Sequence, residues 1–232
     1  MKALLLAAGL GTRLGPLTEN MPKVMVNLNG KPLLQHHIEN FKKQGITEFA
    51  INTHYFPQAI KDYFQDGSKF GVKITYSFEP ELLGTSGALN NFRDFFTEKF
   101  ILVYADVLAD FKIQPLIEVH ERNKALATIA LDKLRPTKGK GAVLVSGEKV
   151  TEFVEKPTEE IPDALINSGL YLLEPEILQR IPAGFSDFGH DILPPIAKEE
   201  KLYWTMHNGH LFDIGTPEIL RQAQEFIKNS KQ

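Results

Sequence analysis

Short apolar strands alternate with amphipathic helices through the first hundred residues, and this alternation restricts the fold more than any other feature. The apolar runs predict strands at residues 2–7, 48–52, 72–76 and 100–104. The segments between them predict helices at residues 32–44, 57–64 and 86–96. Strands joined by helices are parallel, and a parallel sheet needs helices over its faces. We therefore expect an α/β fold.

The second half of the chain departs from strict alternation. Strand-like runs follow one another at residues 125–131, 142–145, 150–155 and 166–173, before a predicted helix at 174–181. Glycines between these runs indicate hairpin-like turns. A last amphipathic helix is predicted at 217–229, with Thr216 as its cap. We expect a mostly parallel mixed sheet with a small antiparallel extension that forms the other wall of a cleft, rather than a separate domain.

Composition excludes several classes of function. A net charge of −3 provides no general positive field, so we expect neither nucleic acid nor a membrane surface as a partner. The absence of cysteine excludes disulfides and thiolate chemistry, and the seven histidines show no metal-ligand spacing. No apolar run approaches the ~20 residues of a membrane span, and the run after Lys2 is shorter than a secretory signal. The expected location is the cytoplasm.

A glycine-rich loop follows the first predicted strand and reads GLGTRLGPLTENMPK from Gly9 to Lys23. Glycines let backbone N–H groups converge on an anion, and Arg13 and Lys23 add two positive charges. The loop is not a P-loop, because no Gly-Lys-Ser or Gly-Lys-Thr is present, and position 14 is leucine rather than the third glycine of the dinucleotide fingerprint. The pattern predicts a binding site for a nucleoside triphosphate.

The same residues carry a resemblance to a family. Gly-x-Gly-Thr-Arg-Leu, followed by Pro16, Thr18 and the pair Pro22-Lys23, resembles the signature of the sugar-nucleotide pyrophosphorylases, which join a nucleoside monophosphate unit to a sugar 1-phosphate. The resemblance implies a three-layer, Rossmann-like (GT-A-like) fold and catalytic roles for Arg13 and Lys23. It also implies that nucleotide contacts come from Ala7, Ala8, Gly9, Gly11, Thr12, Arg13 and Lys23.

The resemblance further implies how the chain is divided. We expect one nucleotidyltransferase domain over residues 1–232, with a nucleotide-binding half at 1–110 and a sugar-phosphate-binding half at 111–232. Longer relatives add a left-handed β-helix, whose hexapeptide pattern is absent here. The sequence leaves the oligomeric state open, a homodimer included.

Transfer of a nucleotidyl group needs a divalent cation, so carboxylates are expected near the loop. Asp106 follows the apolar run at 100–105 and matches the metal-binding aspartate of the family, although Ala105 replaces the usual preceding glycine. Asp213 lies in a Phe-Asp-Ile-Gly-Thr-Pro segment that resembles the terminal W-x-D-I-G-T motif. The resemblance implies that these two aspartates bind Mg²⁺.

Two further motifs point to the sugar 1-phosphate. Glu155-Lys156-Pro157 matches the family triplet in which glutamate binds ring hydroxyls and lysine, a third catalytic residue, binds the phosphate. Asn167-Ser168-Gly169 resembles the N-[AT]-G-[IL]-Y segment, with serine at the middle position. By this resemblance Glu155, Lys156, Asn167 and Gly169 hold the sugar phosphate.

The segment 79–89, EPELLGTSGAL, is expected to bind the nucleobase through Glu79, Gly84, Thr85 and Gly87. It resembles the corresponding run of guanylyltransferases that make GDP-mannose or GDP-heptose, although leucine replaces the proline expected at position 82. This favours GTP with a mannose-type or manno-heptose-type 1-phosphate.

Two alternatives stay open. One is a uridylyltransferase for an N-acetylamino sugar or glucose 1-phosphate. The other is a catalytically silent regulator that binds a nucleotide sugar. Such a protein is expected to lack a metal carboxylate or a catalytic cation, whereas all of the expected residues are present: Arg13, Lys23, Asp106, Lys156 and Asp213.

Overall fold

The computed structural model describes residues 1–134 and 136–229. Arg135 and residues 230–232, which the predicted domain includes, lie outside the described residues. The chain forms two compact units. As far as their residues are described, the first unit comprises Lys2–Leu82, Val103–Asp110 and Gly209–Gln232, and the second comprises Met1, Leu83–Leu102 and Phe111–Asn208.

The described residues contain strands and helices in the following order. The strands are β1 (Ala3–Leu6), β2 (Asn27–Leu28), β3 (Lys31–Pro32), β4 (Glu48–Thr53), β5 (Lys73–Phe78), β6 (Phe100–Tyr104), β7 (Val107–Ala109), β8 (Ala127–Asp132), β9 (Gly141–Ser146), β10 (Lys149–Glu155), β11 (Leu165–Leu173), β12 (Leu202–Met206) and β13 (Leu211–Asp213). The α-helices are α1 (Leu33–Lys43), α2 (Pro57–Phe64), α3 (Gly84–Gly87), α4 (Gln114–Asn123), α5 (Leu193–Lys198) and α6 (Pro217–Asn229). Shorter helical turns lie at Thr12–Thr18, Lys23–Met25, Ser68–Phe70, Ala88–Phe92, Pro175–Arg180 and Phe188–Ile192.

The first unit contains three of the predicted parallel strands. They are ordered β5-β4-β1, and Leu4 lies opposite Ala50, which in turn lies opposite Thr75. Helix α1 buries the apolar stripe predicted for it, since Leu34, Ile38 and Phe41 are fully buried.

Among the described residues, no helix has both the length and the apolar character that a membrane crossing needs.

A second apolar cluster in the first unit holds the glycine-rich loop in place. Leu14 from the loop is buried together with Leu28, Leu108, Ile214 and Leu220. These residues come from the loop, β2, β7, the turn after β13 and helix α6. Burial of one loop side chain at this point fixes the loop without using its polar groups.

The second unit combines antiparallel and parallel pairing. Its strands are ordered β11-β8-β12-β10-β9. β12 and β8 are parallel, whereas β11–β8, β10–β12 and β10–β9 are antiparallel. Helix α4 packs on β8 and β12, and α5 packs on β10 and β12. The predicted fold class, α/β with mixed strands flanked by helices and a small antiparallel portion, is confirmed.

Two predicted helices differ from the structure. The helix expected at 86–96 is replaced by α3 and the tighter turn Ala88–Phe92, and the N–H groups of Ser86 and Gly87 donate to the Ser186 carbonyl. The helix expected at 174–181 is a short 3-10 turn at Pro175–Arg180. Helices α4 and α5 and strand β12 were not predicted. Tertiary contacts here outweigh the local periodicity.

Candidate active site

The glycine-rich loop in the first unit is held by one hydroxyl and one close backbone approach. The Thr18 hydroxyl donates to the Gly11 carbonyl at 2.8 Å and lies 3.3 Å from the Gly15 carbonyl. Gly11 has a φ of +67°, and a Cβ at this position would lie 2.9 Å from Cβ of Lys23. The loop therefore requires glycine at position 11 for its backbone angle and for its contact with Lys23.

Lys23 brings the two predicted metal ligands together. Its Nζ lies 2.8 Å from Oδ2 of Asp106 and 3.5 Å from Oδ1 of Asp213. Only 6% of the Lys23 side chain is exposed, whereas both carboxylates are partly open to solvent. A buried ammonium group needs such partners, because an unpaired charge away from water is costly.

Strand pairing explains why two aspartates so far apart in the chain become neighbours. β7 and β13 are antiparallel, and their register places Asp213 opposite Val107. Asp106 directly precedes Val107, so both carboxylates lie at one end of this strand pair. The sequence motifs identify the two aspartates, and the register of β7 and β13 places them next to each other.

Arg13 lies at the open edge of the same cluster. Its side chain is 68% exposed, and Nη2 lies 3.8 Å from Oδ1 of Asp213. A Cβ at Gly215 would lie 3.0 Å from Nη1 of Arg13, so the guanidinium group rests against the backbone there. An exposed guanidinium group beside a fixed ammonium group is suited to binding phosphate oxygens.

The donor set of the cluster fits a hard divalent cation. Asp106 and Asp213 supply carboxylate oxygens, which are the ligands that Mg²⁺ prefers. Within residues 1–134 and 136–229, no group of three or more His, Cys, Asp or Glu side chains is arranged to hold a metal ion. The two aspartates thus fit a cation whose remaining ligands are water and phosphate oxygens, as is typical of Mg²⁺ sites at phosphates.

A buried hydrogen-bond chain fixes the start of the loop. The Ala7 N–H donates to Oδ1 of Asn52 at 2.8 Å, and Nδ2 of Asn52 donates to Oε1 of Glu79 at 2.8 Å. Glu79 is only 1% exposed, so its carboxylate is engaged inside the protein. Sequence reasoning missed Asn52, although it lies near the carboxyl end of a predicted parallel strand, where ligand sites form. Ala8 is buried, and Gly9 and Thr12 are exposed.

His37 is a buried residue of the first unit that the sequence did not single out. It lies on α1, and neither ring nitrogen has a partner at hydrogen-bond distance. Burial lowers its pKa to about 4, although the Val107 backbone and the Asp106 carboxylate oppose this shift. The imidazole is therefore neutral at pH 7.

In the second unit, the Glu-Lys-Pro triplet lies at the end of β10. Nζ of Lys156 lies 3.7 Å from Oε1 of Glu155, and the lysine is mostly exposed. Lys156 has a φ of +47°, a conformation that bulky residues adopt mainly at functional or strained positions. Burial raises the pKa of Glu155, and the charges of Lys156 and His190 partly oppose this effect.

Asn167 and Gly169 lie at an irregularity in β11. The pairing of β11 with β8 shifts register between Asn167 and Tyr171. Oδ1 of Asn167 accepts a hydrogen bond from the Gly169 N–H at 3.1 Å, and its Nδ2 donates to the Tyr171 hydroxyl. The amide is thus held in one orientation by two local partners.

Of the four predicted base-binding residues, Gly84, Thr85 and Gly87 lie in the second unit and Glu79 lies in the first. Oδ1 of Asp187 accepts hydrogen bonds from the N–H and the hydroxyl of Thr85, both at 2.9 Å. A Cβ at Gly84 would lie 2.4 Å from the Ser186 carbonyl oxygen, and one at Gly87 would lie 2.6 Å from that of Gly184. Residues 84–87 are therefore packed closely against a segment that no sequence motif identified.

Comparison with known proteins agrees with these motifs. A family model described as "Nucleotidyl transferase" matches residues 2–230. Probable mannose-1-phosphate guanylyltransferase 1 of Oryza sativa subsp. japonica is 37% identical over 224 residues, covering 94% of this chain and 62% of that protein. A UTP--glucose-1-phosphate uridylyltransferase of Synechocystis is 35% identical over 214 residues, covering 84% of this chain and 55% of that protein.

One solved structure provides a comparison along nearly the whole of both chains. HddC from Yersinia pseudotuberculosis, in complex with GMP-PN, matches with a TM-score of 0.81 and 26% identity. The match covers 97% of this chain and 99% of HddC. By contrast, this chain spans less than two thirds of the length of the rice and Synechocystis relatives.

Proposed function

This chain belongs to the nucleotidyl transferase family, and from that premise we propose that it transfers a nucleoside monophosphate from a nucleoside triphosphate to a sugar 1-phosphate, releasing pyrophosphate. The observation that carries the proposal is the cluster in which Lys23 contacts both Asp106 and Asp213 while Arg13 lies beside Asp213. Two cations and two carboxylates in one cluster suit a reaction that moves negative charge between phosphate oxygens.

On the nucleotide side, Lys23 and Arg13 have different tasks. Lys23 is buried and tethered, so it offers a fixed charge to the triphosphate. Arg13 is mostly exposed, so its guanidinium group is accessible to the charge that develops during transfer. The glycine-rich loop, from Gly9 to Thr12, supplies backbone N–H groups, and Ala7 and Ala8 lie at its base.

On the sugar side, Lys156 binds the phosphate of the sugar 1-phosphate. Glu155 and Asn167 bind ring hydroxyls, and Gly169 allows the backbone to approach the ring. The exposure of the Lys156 ammonium group and the fixed orientation of the Asn167 amide support these assignments.

The reaction needs no covalent intermediate with the protein. An oxygen of the sugar 1-phosphate forms a bond to the α-phosphorus, while the bond from that phosphorus to the oxygen bridging to the β-phosphate breaks. The electron pair of the broken bond leaves with pyrophosphate. The attacking oxygen is already anionic, so no residue has to remove a proton from it.

We propose Mg²⁺ as the cation, held by Asp106 and Asp213 together with water and phosphate oxygens. When bound, it would neutralise charge on the phosphates and polarise the α-phosphoryl group. Lys23, held between the two aspartates, would keep its positive charge next to this cation site.

GTP with a mannose-type or manno-heptose-type 1-phosphate is the substrate pair we favour. Support comes from the guanylyltransferase relative in Oryza sativa and from the GMP-PN complex of HddC. The Synechocystis uridylyltransferase, at 35% identity, supports UTP and glucose 1-phosphate as a second candidate pair. Gly84, Thr85 and Gly87 are the proposed base-binding residues, whereas the buried carboxylate of Glu79, which accepts a hydrogen bond from Asn52, supports the glycine-rich loop.

The test is release of pyrophosphate by the purified protein. GTP, UTP, dTTP, CTP and ATP are each paired with the 1-phosphates of mannose, manno-heptose, glucose and N-acetylhexosamine, with Mg²⁺ and with EDTA. We expect strong, Mg²⁺-dependent activity with GTP and a manno-configured sugar. Activity only with UTP would contradict the assignment of guanine as the base but would agree with nucleotidyl transfer as the reaction. Binding of a nucleotide sugar without pyrophosphate release from any pair would contradict the transferase proposal.

A further inference from the structure

Residues 186–189 of the second unit, here called the 186–189 segment, contact both the proposed base-binding residues and the proposed sugar-binding residue Glu155. The segment runs into the π-helical turn Phe188–Ile192 just before α5. Single π-helical turns are frequent at functional sites. Sequence analysis assigned none of these four residues to the site.

Its first contact is with Thr85 of the proposed base-binding segment. Oδ1 of Asp187 accepts hydrogen bonds from the Thr85 N–H and from the Thr85 hydroxyl, each at 2.9 Å. The Phe188 N–H in turn donates to the Thr85 hydroxyl oxygen at 2.9 Å. The hydroxyl both donates and accepts toward the same segment, so neither it nor the backbone of Thr85 can turn freely.

A second set of bonds extends this contact along α3. The Ser186 carbonyl accepts from the N–H groups of Ser86 and Gly87, each at 3.0 Å, and the Ser186 N–H donates to the Leu83 carbonyl at 2.9 Å. The hydroxyl groups of Ser86 and Ser186 are fully buried and 2.7 Å apart. The N–H groups of Ser86 and Gly87 and the carbonyl of Leu83 are thus bonded to the 186–189 segment.

The third contact reaches the proposed sugar-binding residues. A Cβ at Gly189 would lie 2.3 Å from Oε2 and 2.8 Å from Cδ of Glu155, so the Glu155 carboxyl group lies directly on the Gly189 backbone. The Phe188 ring stacks on Tyr171, with centroids 5.5 Å apart, and the Tyr171 hydroxyl accepts a hydrogen bond from Asn167. Only glycine at position 189 leaves room for this placement of Glu155.

Asp187 is itself held in place from within the segment. Its N–H donates to Oδ2 of Asp191 at 2.7 Å, and the same oxygen lies 3.2 Å from the Ser186 hydroxyl. The backbone of Asp187 is therefore fixed, and its carboxylate accepts two hydrogen bonds from Thr85. Together these contacts hold Thr85 in one orientation.

We infer that Asp187 is a positioning residue that orients Thr85 for base recognition and, through the adjoining Phe188 and Gly189, couples nucleotide binding to sugar-phosphate binding. The inference rests on the proposed function, because it takes residues 84–87 as the base-binding segment and Glu155 as a sugar ligand. A shift of Asp187 moves its chain neighbours, and with them the surfaces that hold Glu155 and Tyr171.

The first test compares steady-state kinetics of the wild-type protein and Asp187→Ala with GTP and mannose 1-phosphate, or with the pair that the pyrophosphate assay identifies. Loss of two hydrogen bonds to Thr85 should raise the KM for the triphosphate roughly ten- to a hundredfold, with kcat changed less than about threefold. Asp187→Asn keeps an acceptor oxygen and should recover most of the loss. Glu176→Ala, which removes an exposed carboxylate of the same unit, is the matched control.

The second test addresses the coupling. In Gly189→Ala, the new methyl group displaces the Glu155 carboxyl group and should raise the KM for the sugar 1-phosphate. In Asp187→Ala/Gly189→Ala this effect should be at least about threefold smaller, because a segment released from Thr85 can adjust to the methyl group. Additive effects of the two substitutions would overturn the coupling.

The outcomes separate this inference from the proposed function. An active wild-type protein with an unchanged triphosphate KM in Asp187→Ala overturns the inference alone. A lower melting temperature and a smaller active fraction at unchanged KM would show a merely structural role and also overturn it. If Asp187→Ala does not fold, Thr85→Val removes the same hydroxyl contacts and must raise the same KM. If the wild-type protein releases no pyrophosphate, the proposed function fails. Calorimetry of GTP binding to the wild-type protein and to Asp187→Ala then tests the inference, and an unchanged Kd overturns it.

Discussion

Replacement of His37 should change how the stability of the protein depends on pH. The imidazole is buried in the first unit, stacks on Phe41 with ring centroids 6.3 Å apart, and has no hydrogen-bond partner for either nitrogen. Protonation would place a positive charge away from water, and water stabilises such a charge far better than this buried site does. His37→Phe keeps a ring on Phe41 and removes the titration.

The magnitude follows from the pKa. Burial lowers the pKa of His37 from its ordinary value of 6.5 to about 4. Between these values the unfolded chain binds a proton that the folded protein does not, so the free energy of unfolding decreases as the pH falls. At about 1.4 kcal/mol for each tenfold change, the loss between pH 6.5 and pH 4 is about 3 kcal/mol. The full contribution is present above pH 6.5.

The measurement is urea unfolding of the wild-type protein and His37→Phe at several values of pH from 4 to 7, followed by far-ultraviolet circular dichroism. We expect the difference in unfolding free energy between the two proteins to change by about 3 kcal/mol in favour of the variant as the pH falls. Because other titrating groups are common to both proteins, their effects cancel in the difference. Parallel pH dependence in wild type and His37→Phe would refute the reasoning.

Three further outcomes are expected. Arg13→Ala should lower kcat by roughly a hundredfold to a thousandfold with an unchanged melting temperature, because the side chain is exposed and stabilises charge only during transfer; near-normal turnover in the pyrophosphate assay would contradict its catalytic role. Asp213→Asn should raise the Mg²⁺ concentration needed for half-maximal activity by about tenfold or more, whereas an unaltered Mg²⁺ titration would remove Asp213 from the proposed cation site. Gly11→Ala should destabilise the protein by about 1–3 kcal/mol, because the backbone is left-handed there and the new Cβ would lie 2.9 Å from Lys23; an unchanged urea midpoint would refute this.

Much of the fold was predictable from local patterns. The bounds of α2 and α6 agree with those predicted, and α1 and the first four predicted strands differ from the observed elements by at most two residues at either end. These elements carry an apolar period that matches one buried face. The resemblance inferred from the glycine-rich loop is confirmed by the family match over residues 2–230.

The prediction was poorest where other segments compete for backbone groups. The run 86–96 has helical periodicity, yet Ser186 accepts hydrogen bonds from the N–H groups of Ser86 and Gly87 and a short α3 results. The partner lies about a hundred residues away in the chain, so no window of local sequence includes it. The roles assigned to individual site residues stay predictions until the kinetic tests are done.

By itself, the sequence determined which groups are available for chemistry: a glycine-rich loop with two cations, two aspartates after strand-like runs, and a Glu-Lys-Pro triplet. These follow from composition and short spacing, which act within a few residues. Only the tertiary structure decided that Lys23 contacts both Asp106 and Asp213, because that depends on the register of β7 with β13. Only the tertiary structure also showed that Thr85 donates two hydrogen bonds to Asp187, because these residues are far apart in the chain and meet only after folding.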